Sequence, residues 1–127
     1  MKKATENWLK IAKRDLKVAE DNLALKNYTT TIEKCHAALE KLLKGIITEN
    51  NQIPNKIHNL LKLASEAVIT NLQDDMKKLF DELSDCYFSL RYPEDIDEVD
   101  EKYNEERTKF ILKETKRIFL WLEKKIK

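Results

Sequence analysis

The stretch TTIEKCHAALEKLLKGIIT, residues 30–48, decides the fold of this chain. Its apolar residues return every three or four positions, which is the period of a helix with one buried face. Thr30 and Glu33 have the spacing of a capping box, so we predict a helix that begins after Asn27 and ends near Thr48. The apolar positions are Ile32, Cys35, Leu39, Leu42, Leu43 and Ile46.

The same period recurs in two other long stretches. It predicts a first helix from about Thr5 to Leu25 and a last helix from about Tyr103 to Ile126. The last helix is apolar on more than one face, which is typical of a helix that packs on two neighbours. One of those neighbours could be a second subunit.

Two shorter helices are expected in the middle of the chain. Asn55 is placed to cap a short helix with His58 in its first turn. Thr70 and Gln73 offer a second capping box to a helix that ends near Arg91, because the residue before Pro93 avoids helical geometry. Residues 94–106 then carry eight acids against one lysine, and we interpret them as a solvated loop that leads into the last helix.

Composition agrees with an all-helical domain. A chain of 127 residues with 42% hydrophobic content and one glycine fits a single domain, residues 1–127, folded as an up-and-down antiparallel bundle of about five helices. The net charge of +1 argues against binding nucleic acid through a uniformly basic surface, although a local basic patch remains possible. The densest apolar run, residues 118–122, is too short to span a bilayer. We expect a soluble, unprocessed cytoplasmic protein with no membrane partner.

Several polar residues stand where they could form a site. His36, Glu40 and Lys44 follow at one-turn steps, so they form either an edge that holds a polar ligand or a solvated flank with an i,i+4 ion pair. Asp15 interrupts the apolar stripe of the first helix and needs a partner. Arg91 is its natural mate if the first and fourth helices pack together, either as a structural pair or as part of a cleft.

Other chemistries lack the residues that they require. Gly45 is the only glycine, so a phosphate-binding loop and a dinucleotide fold are excluded. A metal site on His36 and Glu40 would need ligands from His58 and Asp15, and we expect no metal. Cys35 and Cys86 lie in apolar helical patterns and are expected to be reduced core thiols, with a disulfide as the alternative.

Several short motifs follow one another along the chain, namely Trp8, Ala12, Asp15-Leu16, Ala19, Tyr28, His36 to Lys44, His58 to Leu61 and Leu90 to Pro93. Their order and spacing resemble the HEPN domain family over most of the chain. The resemblance implies a helical bundle akin to the C-terminal helical domain of kanamycin nucleotidyltransferase. It also implies a dimer in which helix ends of both subunits form a shared cleft, and a minimal nucleotidyltransferase as partner in a toxin–antitoxin pair.

One departure from the family decides our functional expectation. Active HEPN ribonucleases carry an arginine followed four to six residues later by a histidine, which moves the proton of an RNA 2′-hydroxyl. Arg91 matches that arginine, but the residues from Tyr92 to Asp97 contain no histidine. The family also often has two glutamines where this chain has His36-Ala37.

We therefore expect a homodimeric, non-hydrolytic module with no catalytic residue and no cofactor. It binds a nucleotide or RNA, or it pairs with a nucleotidyltransferase. One alternative is a metal-independent ribonuclease toxin that uses Arg91 with His36 or His58, and another is a helical scaffold without a small ligand. The expected ligand-binding residues are Asp15, His36, Glu40, Lys41, Lys44, His58, Arg91 and Tyr92.

Overall fold

The computed structural model describes residues 1–126, which form helices and no strand. The all-helical bundle is confirmed, with six α-helices in the described residues where about five were expected. They are α1 (Lys3–Ala24), α2 (Tyr28–Glu49), α3 (Leu60–Glu66), α4 (Asp74–Ser89), α5 (Ile96–Lys102) and α6 (Glu105–Glu123), with a 3-10 turn at Pro93–Asp95 before α5.

Helix α2 is the centre of the bundle. It packs against α1, α3, α4 and α6, and it also contacts α5. The predicted apolar stripe is buried, and so are His36, Glu40 and Lys44. Of the two alternatives for these residues, the solvated flank is wrong, because neighbouring helices cover α2 on more than its apolar face. The i,i+4 ion pair between Glu40 and Lys44 does form, at 2.9 Å.

Gly45 lets α1 lie close against α2. A Cβ atom at this position would lie 3.2 Å from Cβ of Trp8, which is tighter than ordinary van der Waals contact. A glycine inside a helix costs about 1 kcal/mol relative to alanine. The close approach of Trp8 is the packing reason for accepting that cost.

Neither predicted capping box forms. Helix α2 already begins at Tyr28, because the carbonyl of Asn27 accepts a hydrogen bond from the Thr31 amide at 3.0 Å, so Thr30 lies inside the helix. Helix α4 begins at Asp74 after Gln73, whose side chain makes no capping bond. Two aspartates in the first turn of α4 favour its N-terminus through the helix dipole instead.

The cap of α3 is Asn59 and not Asn55. The Asn59 side chain accepts a hydrogen bond from the Lys62 amide at 3.0 Å, and the Ser84 hydroxyl of α4 accepts one from the Leu60 amide at 3.1 Å. His58 consequently lies in the segment before α3 and not in its first turn.

The acidic segment is a helix and not a loop. Val99 of α5 is buried, and Tyr103 just after α5 is also buried and donates a hydrogen bond to Glu82 at 3.0 Å. These two residues, four positions apart, hold a short helix against α4 despite its charge. Asn104 then caps α6 by accepting a bond from the Arg107 amide at 2.9 Å, two residues beyond the end of α5.

The extra apolar surface of the last helix is largely covered inside the chain. Phe119 and Ile126, which add apolar surface to this last segment, are both buried. Phe110 and Leu120 stay exposed on α6. No helix among residues 1–126 is long and apolar enough to cross a membrane.

The two cysteines are buried free thiols. Burial raises the pKa of Cys35 to about 12 and that of Cys86 to about 11. Both thiols therefore stay protonated near neutral pH, which agrees with a packing role and not with a disulfide.

Candidate functional site

A surface depression of about 230 Å³ gathers most of the predicted site residues. It lies between α2, the end of α4 and the segment before α3. Five of the eight predicted ligand-binding residues line it, namely His36, Glu40, Lys41, His58 and Arg91. Glu33, Lys34, Ala37 and Tyr87 complete the lining. A larger groove of about 690 Å³ runs along α1, but its lining holds no histidine, and we place the candidate site in the smaller depression.

Glu40 is the buried anchor of this depression. It is 4% exposed, and one of its oxygens accepts a hydrogen bond from Lys44 Nζ at 2.9 Å. Both oxygens lie 3.2 Å from Nδ1 of His58. Burial alone would raise the pKa of Glu40, but the hydrogen bond and charge of Lys44, the bond from His58 and the charge of Lys41 outweigh burial and lower it. Glu40 is therefore ionised at neutral pH.

His36 connects α2 to the backbone before α3. Its Nε2 donates a hydrogen bond to the carbonyl oxygen of His58 at 2.7 Å, and its Nδ1 lies 3.6 Å from Glu40. Burial lowers the pKa of His36, although its bond to His58 and the charge of Glu40 work in the opposite direction. These surroundings therefore favour a neutral His36 that donates its hydrogen bond through Nε2.

Tyr87 is the platform on which the exposed groups of the site lie. The His58 ring stacks on it with centroids 4.4 Å apart and an interplanar angle of 23°. The Arg91 guanidinium lies 3.5 Å from the Tyr87 ring centroid, and Nη1 of Arg91 donates a hydrogen bond to the Tyr87 carbonyl. These contacts orient Arg91 at the edge of the depression.

Sequence reasoning missed Tyr87, because its position also fits the apolar stripe of α4. The available signal was its spacing from Arg91. Residues four apart on a helix are neighbours, and an arginine at that distance from a tyrosine can cover the ring.

Three predicted site residues lie outside the lining of the depression. Asp15 is paired with Lys34 at 3.8 Å, so the predicted pair of Asp15 with Arg91 is wrong. The physical reason is that α2 packs against both α1 and α4 and lies between them. Lys44 reaches the site only through Glu40, and its ammonium group lies 6.0 Å from the Trp8 ring centroid. Tyr92 is half exposed beyond the end of α4.

The site joins a fixed cation to an accessible imidazole. The guanidinium of Arg91 only donates hydrogen bonds, so it can bind an oxyanion but cannot accept a proton from a ligand. The His58 side chain is 43% exposed, and its Nδ1 is already bound to Glu40. Within residues 1–126, no group of three or more His, Cys, Asp or Glu side chains is placed to hold a metal ion. The arrangement therefore suits a phosphate-bearing ligand.

Comparisons with known proteins agree with the fold. A model of the HEPN domain matches residues 5–125. The chain belongs to the HEPN domain family. The crystal structure of TT1696 from Thermus thermophilus resembles this HEPN chain with a TM-score of 0.79 over 95% of this chain and 97% of that one. At 22% sequence identity this likeness shows the fold alone. No curated protein matches the sequence.

Proposed function

We propose that this HEPN protein, one domain over residues 1–127, is a cytoplasmic homodimeric module that binds the phosphate of a nucleotide without hydrolysing it. The observation that supports binding is the Arg91 guanidinium stacked on Tyr87 at the edge of the depression. Lys34 and Lys41 line the same depression, so three cations face a small volume that also contains Glu33 and Glu40. An anionic ligand would complement this balance.

Binding without hydrolysis fits the groups that are available. The residues after Arg91 supply no histidine, and His36 is buried with Nε2 committed to the His58 carbonyl. Six acids follow within residues 94–101, and their charge would repel a long RNA backbone near the site. A mononucleotide would feel this repulsion less than an RNA chain.

Thermal melting with nucleotides tests the proposal. Millimolar adenosine monophosphate should raise the melting temperature of the wild type, because a ligand that binds only the native state stabilises it. Arg91→Gln should abolish that rise. Arg14→Gln is the matched control, since Arg14 is an exposed arginine on α1 outside the depression. A wild-type melting temperature that no nucleotide shifts would favour the scaffold alternative.

We further propose that the partner is a minimal nucleotidyltransferase in a toxin–antitoxin type of system. Family membership supports this through the resemblance described above. The test is to co-express the chain with the product of the neighbouring gene, and to ask whether the two proteins co-purify and whether one relieves growth arrest caused by the other. Neighbouring genes without a nucleotidyltransferase, or two proteins that do not associate, would contradict it.

A second candidate function is metal-independent RNA cleavage by Arg91 with His58. It is favoured by the position of both groups on Tyr87, with one imidazole nitrogen of His58 held by Glu40. We expect no cleavage above background when the protein is incubated with RNA and a chelator. Cleavage that disappears in both Arg91→Ala and His58→Ala would establish the ribonuclease instead.

A further inference from the structure

Helix α5 has little packing of its own to hold it in place. Val99 is its single buried residue, and Tyr103, which follows its end, is also buried. A helix of seven residues is marginal without such tertiary contacts. Residues 94–101 carry six acids and no base, so neighbouring charges in this segment repel one another. The position of α5 therefore depends on the contacts made at its C-terminal end.

Glu82 of α4 provides those contacts. The Tyr103 hydroxyl donates a hydrogen bond to one of its oxygens at 3.0 Å, and the Arg107 guanidinium donates to the other oxygen. Nζ of Lys102 lies 3.6 Å from the oxygen that Tyr103 contacts. The Glu82 side chain is only 15% exposed, so solvent ions screen these interactions less than those of a surface pair. One carboxylate thus joins α4 to the end of α5 and the start of α6.

Cys86 lies beneath this junction, one turn after Glu82 on α4. It is 4% exposed, and together with Val99 and Tyr103 it lines a depression of about 160 Å³ between the two helices. Burial raises the pKa of its thiol to about 11. In the closed protein the thiol is therefore both covered and protonated, and a thiol reagent reaches it only when α5 moves away.

We propose that residues 93–103 form a strap, which opens from α4 while the rest of the bundle stays folded, and that Glu82 is the latch that keeps it closed. Proteins open locally, at lower free energy than global unfolding, where few apolar side chains are buried. The strap has this property and α2 does not. The strap follows the end of α4 that carries Arg91, so its opening releases the chain directly after the candidate site.

Cys35 provides an internal reference for the test. It is fully buried on α2 in the centre of the bundle, so it reacts only when the whole bundle unfolds. Labelling with N-ethylmaleimide followed by peptide mass spectrometry gives the rate at each cysteine. We expect Cys86 of the wild type to react about tenfold faster than Cys35, or more, because local opening is more frequent than global unfolding. Equal rates would overturn the proposal.

Glu82→Ala tests the latch. It should raise the rate at Cys86 relative to that at Cys35 about tenfold, as the loss of hydrogen bonds to a charged group allows. Asp85→Ala is the matched control, because Asp85 is exposed, lines the same depression and makes no hydrogen bond or ion pair within residues 1–126. It should leave the ratio unchanged. Rates that rise equally at both cysteines in Glu82→Ala would show that Glu82 stabilises the whole bundle and is not a latch.

Tyr103→Phe guards against a Glu82→Ala variant that fails to fold. It removes one bond to Glu82 but keeps the aromatic ring, so it should raise the ratio of the two rates by a smaller factor. Hydrogen exchange gives a measurement without a thiol reagent. The amide at position 103 donates to the Val99 carbonyl at 3.0 Å, and it should exchange faster in Tyr103→Phe while the amides of residues 30–48 keep their protection. Unchanged exchange at position 103 would contradict the role of Glu82 as the latch.

Discussion

Val68 has a backbone conformation that is unfavourable for its branched side chain. Its φ of 58° is left-handed, a region that β-branched residues rarely adopt. It follows α3 in a Schellman ending, in which the amides of Val68 and Ile69 bond to the carbonyls of Ser65 and Ala64 at 3.0 Å. Glycine is the usual residue at such a position.

Val68→Gly should therefore stabilise the protein by about 1 kcal/mol, because it relieves the left-handed strain at an exposed position. The same substitution at Val18, a partly exposed valine inside α1, is the matched control and should destabilise through lost helix propensity. Urea unfolding of both variants measures the difference. A loss of stability in Val68→Gly would show that the valine side chain makes a contact that outweighs the strain.

His36 lowers the stability of the folded protein in mild acid. Its pKa is lowered mainly by burial, so the unfolded chain takes up a proton near pH 6.5 while folded His36 still resists it. The stabilisation is complete above that pH and declines as the pH falls below it. Glu40, whose pKa is also lowered, adds a loss only at more acid pH, below about 4.5.

We predict that His36→Gln flattens the dependence of the unfolding free energy on pH in the range below about pH 6.5. Glutamine keeps a donor for the His58 carbonyl but does not titrate. One proton accounts for at most about 1.4 kcal/mol per pH unit in this slope. Urea titrations at several pH values measure it, and an unchanged slope would assign the loss to another group.

At the scale of the elements, the spacing of apolar residues predicts the long helices but not the short helix α5. α1, α2 and α6 could be predicted because their apolar stripes run for several turns. α5 could not, since Val99 is its one buried residue and the acids around it dominate the pattern. The prediction of a capping box at the start of α2 was wrong for a related reason. A tight turn after α1 sets where α2 begins, and no side-chain cap is involved.

The candidate site was predictable only in part for the same kind of reason. His36, Glu40 and Lys44 could be grouped because they share one helix. Their burial, and the position of His58 against Glu40, depend on how α3 and α4 pack on α2, which spacing along one helix does not contain.

Helix α5 carries a misplaced charge at its C-terminal end. Glu101 lies in the last turn, where the helix dipole disfavours an acid, and it is four residues after Asp97. Glu101→Lys should stabilise the protein by about 0.5–1 kcal/mol, because a lysine there suits the dipole and can pair with the earlier acids. Asp97→Lys, in the first turn, is the control and should give no such gain. Equal effects at both positions in low-salt melting would reject the dipole argument.

Helix packing between α1 and α2 gives a further prediction. Gly45→Val should cost about 1–3 kcal/mol, because a Cβ atom there already lies only 3.2 Å from Cβ of Trp8 and the branched side chain adds two methyl groups. Lys41→Val, one turn earlier and only partly buried on the same helix, should cost about 0.5 kcal/mol, the difference in helix propensity. Urea unfolding compares the two, and similar losses would mean that α1 shifts without cost.

At the scale of the whole molecule, the small net charge conceals a separation of charge. Residues 74–101 contain eleven acids and three basic residues, so the rest of the chain is strongly basic in balance. The acids lie on α4, α5 and the 3-10 turn, the elements that come directly before and after Arg91 in the chain. The proposed function requires this separation of charge, because acids close to Arg91 would repel a long polyanion more than a small anion.

The homodimer is the last prediction, and it depends on apolar surface that the chain leaves exposed. Phe110 and Leu120 of α6 are 52% and 60% exposed, whereas the other large apolar side chains of that helix are mostly covered by α1 and α2. Light scattering at micromolar concentration should give twice the 15.0 kDa mass of one chain.

The double variant Phe110→Lys with Leu120→Lys should give a monomer, since charge is unfavourable in an apolar contact. Ile53→Lys, at a position 92% exposed before α3, is the control and should stay dimeric. A wild-type monomer would refute the dimer, and a dimer that survives the double variant would place its interface elsewhere than on α6.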